Sequence, residues 1–188
     1  MTGNQTTPTP LDHAAVAASI RAATEEVFST MLGMESTPGD YAVVREAPAA
    51  IDGVVALIGL AGTWVGTGML SCSAALACEL STQLLQGDPE GHRQAVDDEV
   101  LDSVAEITNM VLGNVKNVLE ERLGPMGLSI PTVIFGRNFT ARSMGEGEWV
   151  VVPFACGQDH LEVRLRLTPA RQPQPIRHGF APPHSMRL

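Results

Sequence analysis

The sequence predicts one α+β domain, with a sheet of about six strands, mostly antiparallel or mixed, and helices packed on it. Three observations predict this. Apolar residues recur at helical spacing in three segments, and β-branched or alternating apolar runs occupy six others. The order is α-β-β-β-α-α-β-β-β, which lacks the regular β-α alternation of a parallel sheet. A chain of 188 residues also suits one domain with a substantial core.

The elements follow in order. Residues 1–10 are polar with two prolines and form a flexible N-terminus. Over Leu11 to Leu32, Val16, Ile20, Val27 and Met31, with Ala22 and Ala23 between them, give a first amphipathic helix. Pro38-Gly39-Asp40 reads as a turn, and Tyr41 to Glu46 as a strand. From Gly53 to Ser71, apolar runs punctuated by Gly59, Gly62, Gly66 and Gly68 predict a hairpin. Ser71 or Ser73 caps a short helix through Ala74 to Leu85, which Gly87-Asp88-Pro89 stops. A long helix runs from Asp97 to Leu123. Its first turn is acidic, as the helix dipole favours, and Gly124-Pro125 ends it. Strands follow near Thr132–Arg137, Trp149–Ala155 and His160–Thr168, the last two joined through Gly157-Gln158-Asp159. In the final strand Leu161, Val163, Leu165 and Leu167 face one way, and Glu162, Arg164 and Arg166 the other. The domain is thus residues 11–168. Residues 169–188 hold five of the thirteen prolines and no acids, the composition of an unstructured tail.

Composition narrows the function. Aromatics make up 4% of the chain, too few for a stacking platform on single-stranded nucleic acid. The net charge is −9, and Lys116 is the single lysine. Such a balance repels phosphate backbones and anionic lipid, so neither nucleic acid nor a membrane is expected as a partner. Cys72, Cys78 and Cys156 are odd in number and form no C-x-x-C pair, which fits a reducing cytoplasm. No secretory signal is visible at the N-terminus.

Most candidate chemistry fails on spacing. The glycines at 59, 62, 66 and 68 match neither a dinucleotide fingerprint nor a P-loop, and read as hairpin punctuation. The five histidines show no metal-ligand spacing, so no metal or other cofactor is expected in this chain. No G-x-S-x-G elbow is present.

The long helix is different. At about 100° per residue, Val100, Val104, Ile107, Val111, Val115 and Val118 form an apolar stripe. Asp102, Glu106, Asn109, Gly113 and Lys116 fall together on the opposite side. Every amphipathic helix has a polar side, so this alone proves nothing. However, Asn109 and Gly113 are poor helix formers placed mid-helix. The glycine also clears space beside Asn109 for another backbone to approach.

The run Asp102-Ser103-Val104-Ala105-Glu106-Ile107-Thr108-Asn109, continued by Gly113-Asn114, resembles the D/S-x-x-x-E-x-x-N signature of the CheC/CheX/FliY chemotaxis phosphatases. Pro131 lies about where that family's pattern has a proline. The likeness extends over the layout of residues 11–168. One E-x-x-N helix is visible, as in CheX, where CheC has two. The resemblance implies a phosphatase acting on the aspartyl phosphate of a CheY-like response regulator. Asn109 would orient the attacking water and Glu106 would pair with the regulator's lysine. Asp102, Gly113 and Lys116 would complete the partner-binding face. Mg²⁺ would belong to the regulator, and the protein would be a homodimer. The alternative is a non-catalytic module that sequesters a response regulator.

Overall fold

A computed structural model describes residues 11–45, 51–86, 95–140 and 147–170. Two of the expected segments, residues 1–10 and the Gly87-Asp88-Pro89 stop, lie outside these, as do Glu46 and residues 171–188.

Helix α1 spans His13–Val27, and Asp12 caps it by accepting from the Ala15 N–H at 3.1 Å. Its last turn, Phe28–Leu32, widens to a π-helix that closes on Gly33 at φ 61°. The wider turn shifts the face that follows. Phe28 and Leu32 are buried, whereas Met31, expected in the stripe, is 52% exposed. Ala22 is also exposed. Helix α2 covers Ala74–Leu84, and of the two candidate caps it is Ser73 that bonds the Leu76 N–H. Helix α3 covers Asp98–Leu123. Asp97 caps its start through the Val100 N–H at 2.9 Å, and Gly124 ends it at φ 82°.

Eight strands form one sheet: β1 Thr37–Pro38, β2 Ala42–Val44, β3 Ile51–Gly62, β4 Trp64–Cys72, β5 Met126–Leu128, β6 Thr132–Phe139, β7 Trp149–Cys156 and β8 Asp159–Pro169. Every pairing is antiparallel. The order is β1-β7-β8-β4-β3-β5, with β2 also on β7 and β6 also on β3. The sheet is therefore six strands wide, with two strands end to end along each edge. Two of the eight were not foreseen. β1 takes Pro38 out of the expected turn by pairing it with Phe154, and β5 directly follows α3. Both are two or three residues long, too short for a periodic signal.

The helices cover one face of the sheet. Val54, Ala56, Ile58, Leu70, Val152, Phe154, Leu161, Val163 and Leu165 pack there against Ile20, Phe28, Leu76, Leu80, Val104, Ile107 and Val111. Leu161 and its alternates point inward as expected. The opposite face is less solvated than the alternation predicts. Val55, Met69, Trp149 and Val151 form a second buried cluster there, and the Arg166 guanidinium stacks on Trp149 with its central carbon 4.8 Å from the ring centre. Burial pushes the Arg166 pKa down. Arg164 beside it pairs with Glu162.

The buried side of α3 turns as the helix advances. Near its start Ser103 lies under α2. Ser103 Oγ gives its proton to the Glu99 carbonyl (2.8 Å), so Ser81 is the donor in the buried Ser81–Ser103 contact of 2.9 Å. Further along, Leu112 lies over β4 at Gly68, and Leu119 is buried. Val118, expected in the stripe, is 52% exposed. A fixed angular projection misses this drift, because the helix passes from a helical neighbour onto a twisted sheet.

Gly68 lets α3 sit this close. A Cβ there would stand 2.4 Å from Leu112 Cδ1. Gly68→Val is therefore expected to destabilise the fold by about 1–3 kcal/mol through overpacking. A lowered urea midpoint, read from tryptophan fluorescence, is the check.

Candidate active site

Asp97 and Gly124 bound α3, and its outward side carries the residues of interest. Asp102, Glu106 and Asn109 are all exposed. Their spacing, i, i+4 and i+7, stacks them on one face. No hydrogen bond or ion pair engages any of the three among the described residues. They form two carboxylates and an amide, free in solvent on a fixed backbone. Gly113 continues the row. A Cβ at Gly113 would meet only Leu128 Cδ1, at 4.0 Å, so packing within the fold does not demand glycine there.

Lys116, the last of the five positions on this side, behaves differently. Lys116 Nζ donates to Glu120 Oε2 at 2.8 Å, and its side chain is largely covered. Glu120 Oε1 accepts from the Met126 N–H at 2.6 Å. The hydrogen bond from Lys116 and then that from Met126 hold the Glu120 carboxyl below its usual range. Lys116 thus joins a tether between the end of α3 and β5. The structure brings Asp102, Glu106, Asn109 and Gly113 together and engages Lys116 elsewhere. The i,i+4 spacing of Lys116 and Glu120 was the available signal for this. Asn114, beside Gly113, turns toward α1, where its Nδ2 donates to Glu26 Oε2 at 3.3 Å.

The other described residues offer little reactive chemistry. No three His, Cys, Asp or Glu residues are grouped to hold a metal ion among the described residues. Cys72, Cys78 and Cys156 are buried cysteines. Burial, and then neighbouring Cys156 and Asp159, pushes Cys72 up to about 12. Burial likewise raises Cys156 to about 11. Such thiols are protonated and poor nucleophiles at neutral pH. No described helix is long and apolar enough to cross a membrane.

Residues 54–155, over half of the chain, match the family model described as chemotaxis phosphatase CheX. The chain belongs to the CheX family. That span contains the whole of α3 with the E-x-x-N row. Solved CheX-like structures share the fold. The CheX protein from Vibrio vulnificus superposes with a TM-score of 0.71 at 26% identity, covering 81% of this chain and 99% of that one. A putative chemotaxis protein from Desulfovibrio vulgaris Hildenborough does so at 0.71 and 28% identity, covering 81% and 96%. The CheX of a CheX-CheY-BeF3-Mg²⁺ complex from Borrelia burgdorferi shares the fold at 22% identity and a TM-score of 0.66, covering 84% and 99%. No curated protein matches the sequence. The α+β architecture expected from the sequence, with a mostly antiparallel or mixed sheet, is realised as the antiparallel sheet of the CheX structures.

Proposed function

We propose that this CheX-family protein hydrolyses the aspartyl phosphate of a CheY-type receiver domain in the cytoplasm. The observation that carries the reading is the free row Asp102, Glu106 and Asn109, aligned on one helix beside Gly113. The Borrelia complex supports the partner class, since beryllofluoride stands in for the phosphoryl group on its CheY.

In this mechanism α3 lies across the receiver's phosphorylation site. The Asn109 amide holds a water by accepting from it through Oδ1 or donating to it through Nδ2. The water oxygen attacks phosphorus in line, the bond from phosphorus to the aspartate oxygen breaks, aspartate leaves as a carboxylate, and both protons of the water stay with the inorganic phosphate formed. An amide does not titrate, so it positions the water without taking its proton. Fixing that water lowers the barrier by removing orientational freedom. Glu106 pairs with the receiver's lysine and sets the register of docking. Asp102 adds a second carboxylate to that face, and Gly113 leaves clearance for the receiver's backbone. Lys116 contributes through its tether to Glu120, which fixes the end of the helix under this surface. Mg²⁺ on the receiver supplies charge stabilisation to the phosphoryl group. The working form is a homodimer.

The test follows the loss of phosphate from each phosphorylated receiver domain of the source organism, with and without the protein. At least one receiver is expected to decay faster. Unchanged decay across the whole set would sink the reading, and binding without faster decay would leave a sequestering protein instead.

A further inference from the structure

β5 and β6 are two halves of one edge strand, joined by a bulge. Leu128 pairs with Leu60 of β3, and Ser129 continues the ladder by donating its N–H to the Gly59 carbonyl at 2.9 Å. Pairing resumes with Thr132 opposite Leu57. Ile130 and Pro131 therefore stand opposite a single residue, Ile58. The bulge pushes Ile130 into solvent at 87% exposure, the highest among the large hydrophobic side chains described. Phe135 (48%) follows on the same strand and pairs with Val54 of the helix-covered face, whereas Ile134, opposite Val55, faces the other way. One exposed apolar side chain needs no explanation, but two on the strand beside a functional face do.

The strand returns alongside α3 after the turn at Gly124-Pro125. Gly113 faces Leu128, which sets the register between the two elements. From Leu128 to Ile130 is about 7 Å along the strand. From Gly113 back to Asn109 is about 6 Å along the helix. Ile130 is thus level with Asn109, on the neighbouring element.

We infer that Ile130, on the β5–β6 bulge, is an apolar docking anchor for the receiver domain and helps to select it. The inference rests on the phosphatase reading above and names a part of the same interface. A standard interface buries about 800 Å² on each partner, a patch roughly 30 Å across. A receiver seated over Asn109 therefore covers Ile130 as well. The row on α3 offers charge and an amide but no apolar contact, and the centres of stable interfaces need apolar area. Ile130 provides it next to the reacting group. A second copy of this chain fits the bulge less well. Pro131 has no N–H to give to an added strand, and Ser129 turns its hydroxyl inward, accepting from the Gly59 N–H and donating to the Ile130 carbonyl. Bulges and prolines block strand addition at sheet edges.

The test uses the full-length protein and the receiver that it dephosphorylates fastest. Ile130→Asp is expected to raise KM for the phosphorylated receiver at least about tenfold, the loss typical of an anchor residue, with kcat within about twofold. Ile130→Leu restores KM. An unchanged urea midpoint for both variants shows that the fold is intact. An unchanged KM in Ile130→Asp overturns the inference while leaving the phosphatase reading standing. A shift from dimer to monomer by light scattering overturns it too, because Ile130 would then belong to a contact between copies. A wild-type protein that accelerates no receiver removes both the inference and the reading beneath it.

Discussion

Asn109→Ala is expected to bind a phosphorylated receiver as the wild type does and to lose its effect on the phosphate. The loss should appear in kcat, by about 100-fold or more, the scale of removing one group that positions or stabilises a reacting centre. Two features make this a clean experiment. Asn109 is exposed and makes no hydrogen bond among the described residues, so its removal leaves none of their polar groups unsatisfied. Alanine is also the better helix former, so α3 loses nothing. Binding is measured with the beryllofluoride- and Mg²⁺-loaded receiver, which mimics the phosphorylated form. Turnover is measured by phosphate release. A variant that kept the full rate would show that the water is held by some other group.

Glu106→Lys is expected to lose binding and turnover together. In the proposed complex the Glu106 carboxylate meets the receiver's lysine. The substitution replaces that attraction with two ammonium groups face to face, a larger change than simple truncation. Breaking a desolvated pair of this kind weakens binding by about 100-fold, and reversal adds repulsion. Glu106 is exposed on α3 and unpaired among the described residues, so the fold is expected to tolerate lysine. Titration of the beryllofluoride-loaded receiver, with circular dichroism as the folding control, reads the effect. Retained affinity would place the receiver's lysine elsewhere.

Much of this surface was legible in the sequence because α3 announces its own limits. Asp97, the acidic first turn and Gly124-Pro125 bound the helix, and once it is bounded the projection places Asp102, Glu106, Asn109 and Gly113 on one side. What escaped depends on partners distant in sequence. Val118 and Met31 sit on ideal apolar positions but meet solvent, one because the buried arc drifts, the other because a π-turn resets the spacing. Lys116 looked like a free cation on the docking face, and its tie to Glu120 is set by where β5 begins. β1 and β5 are defined wholly by the strands that they pair with. The bulge at Ile130 was invisible for the same reason, since a bulge is a property of two strands in register.

The caps on α3 have a consequence for how fast a partner is captured. The backbone beneath Asp102, Glu106 and Asn109 is already helical, so in the proposed complex docking immobilises side chains alone, at about 0.5–1.5 kcal/mol each. Little search remains once the two surfaces touch. Capture is then governed by how often they meet in the right orientation. In the proposed complex the carboxylates of this face act on the receiver's lysine from a distance of about one Debye length. Rising salt shortens that reach and slows capture, while the residence time, set by contacts already made, changes far less.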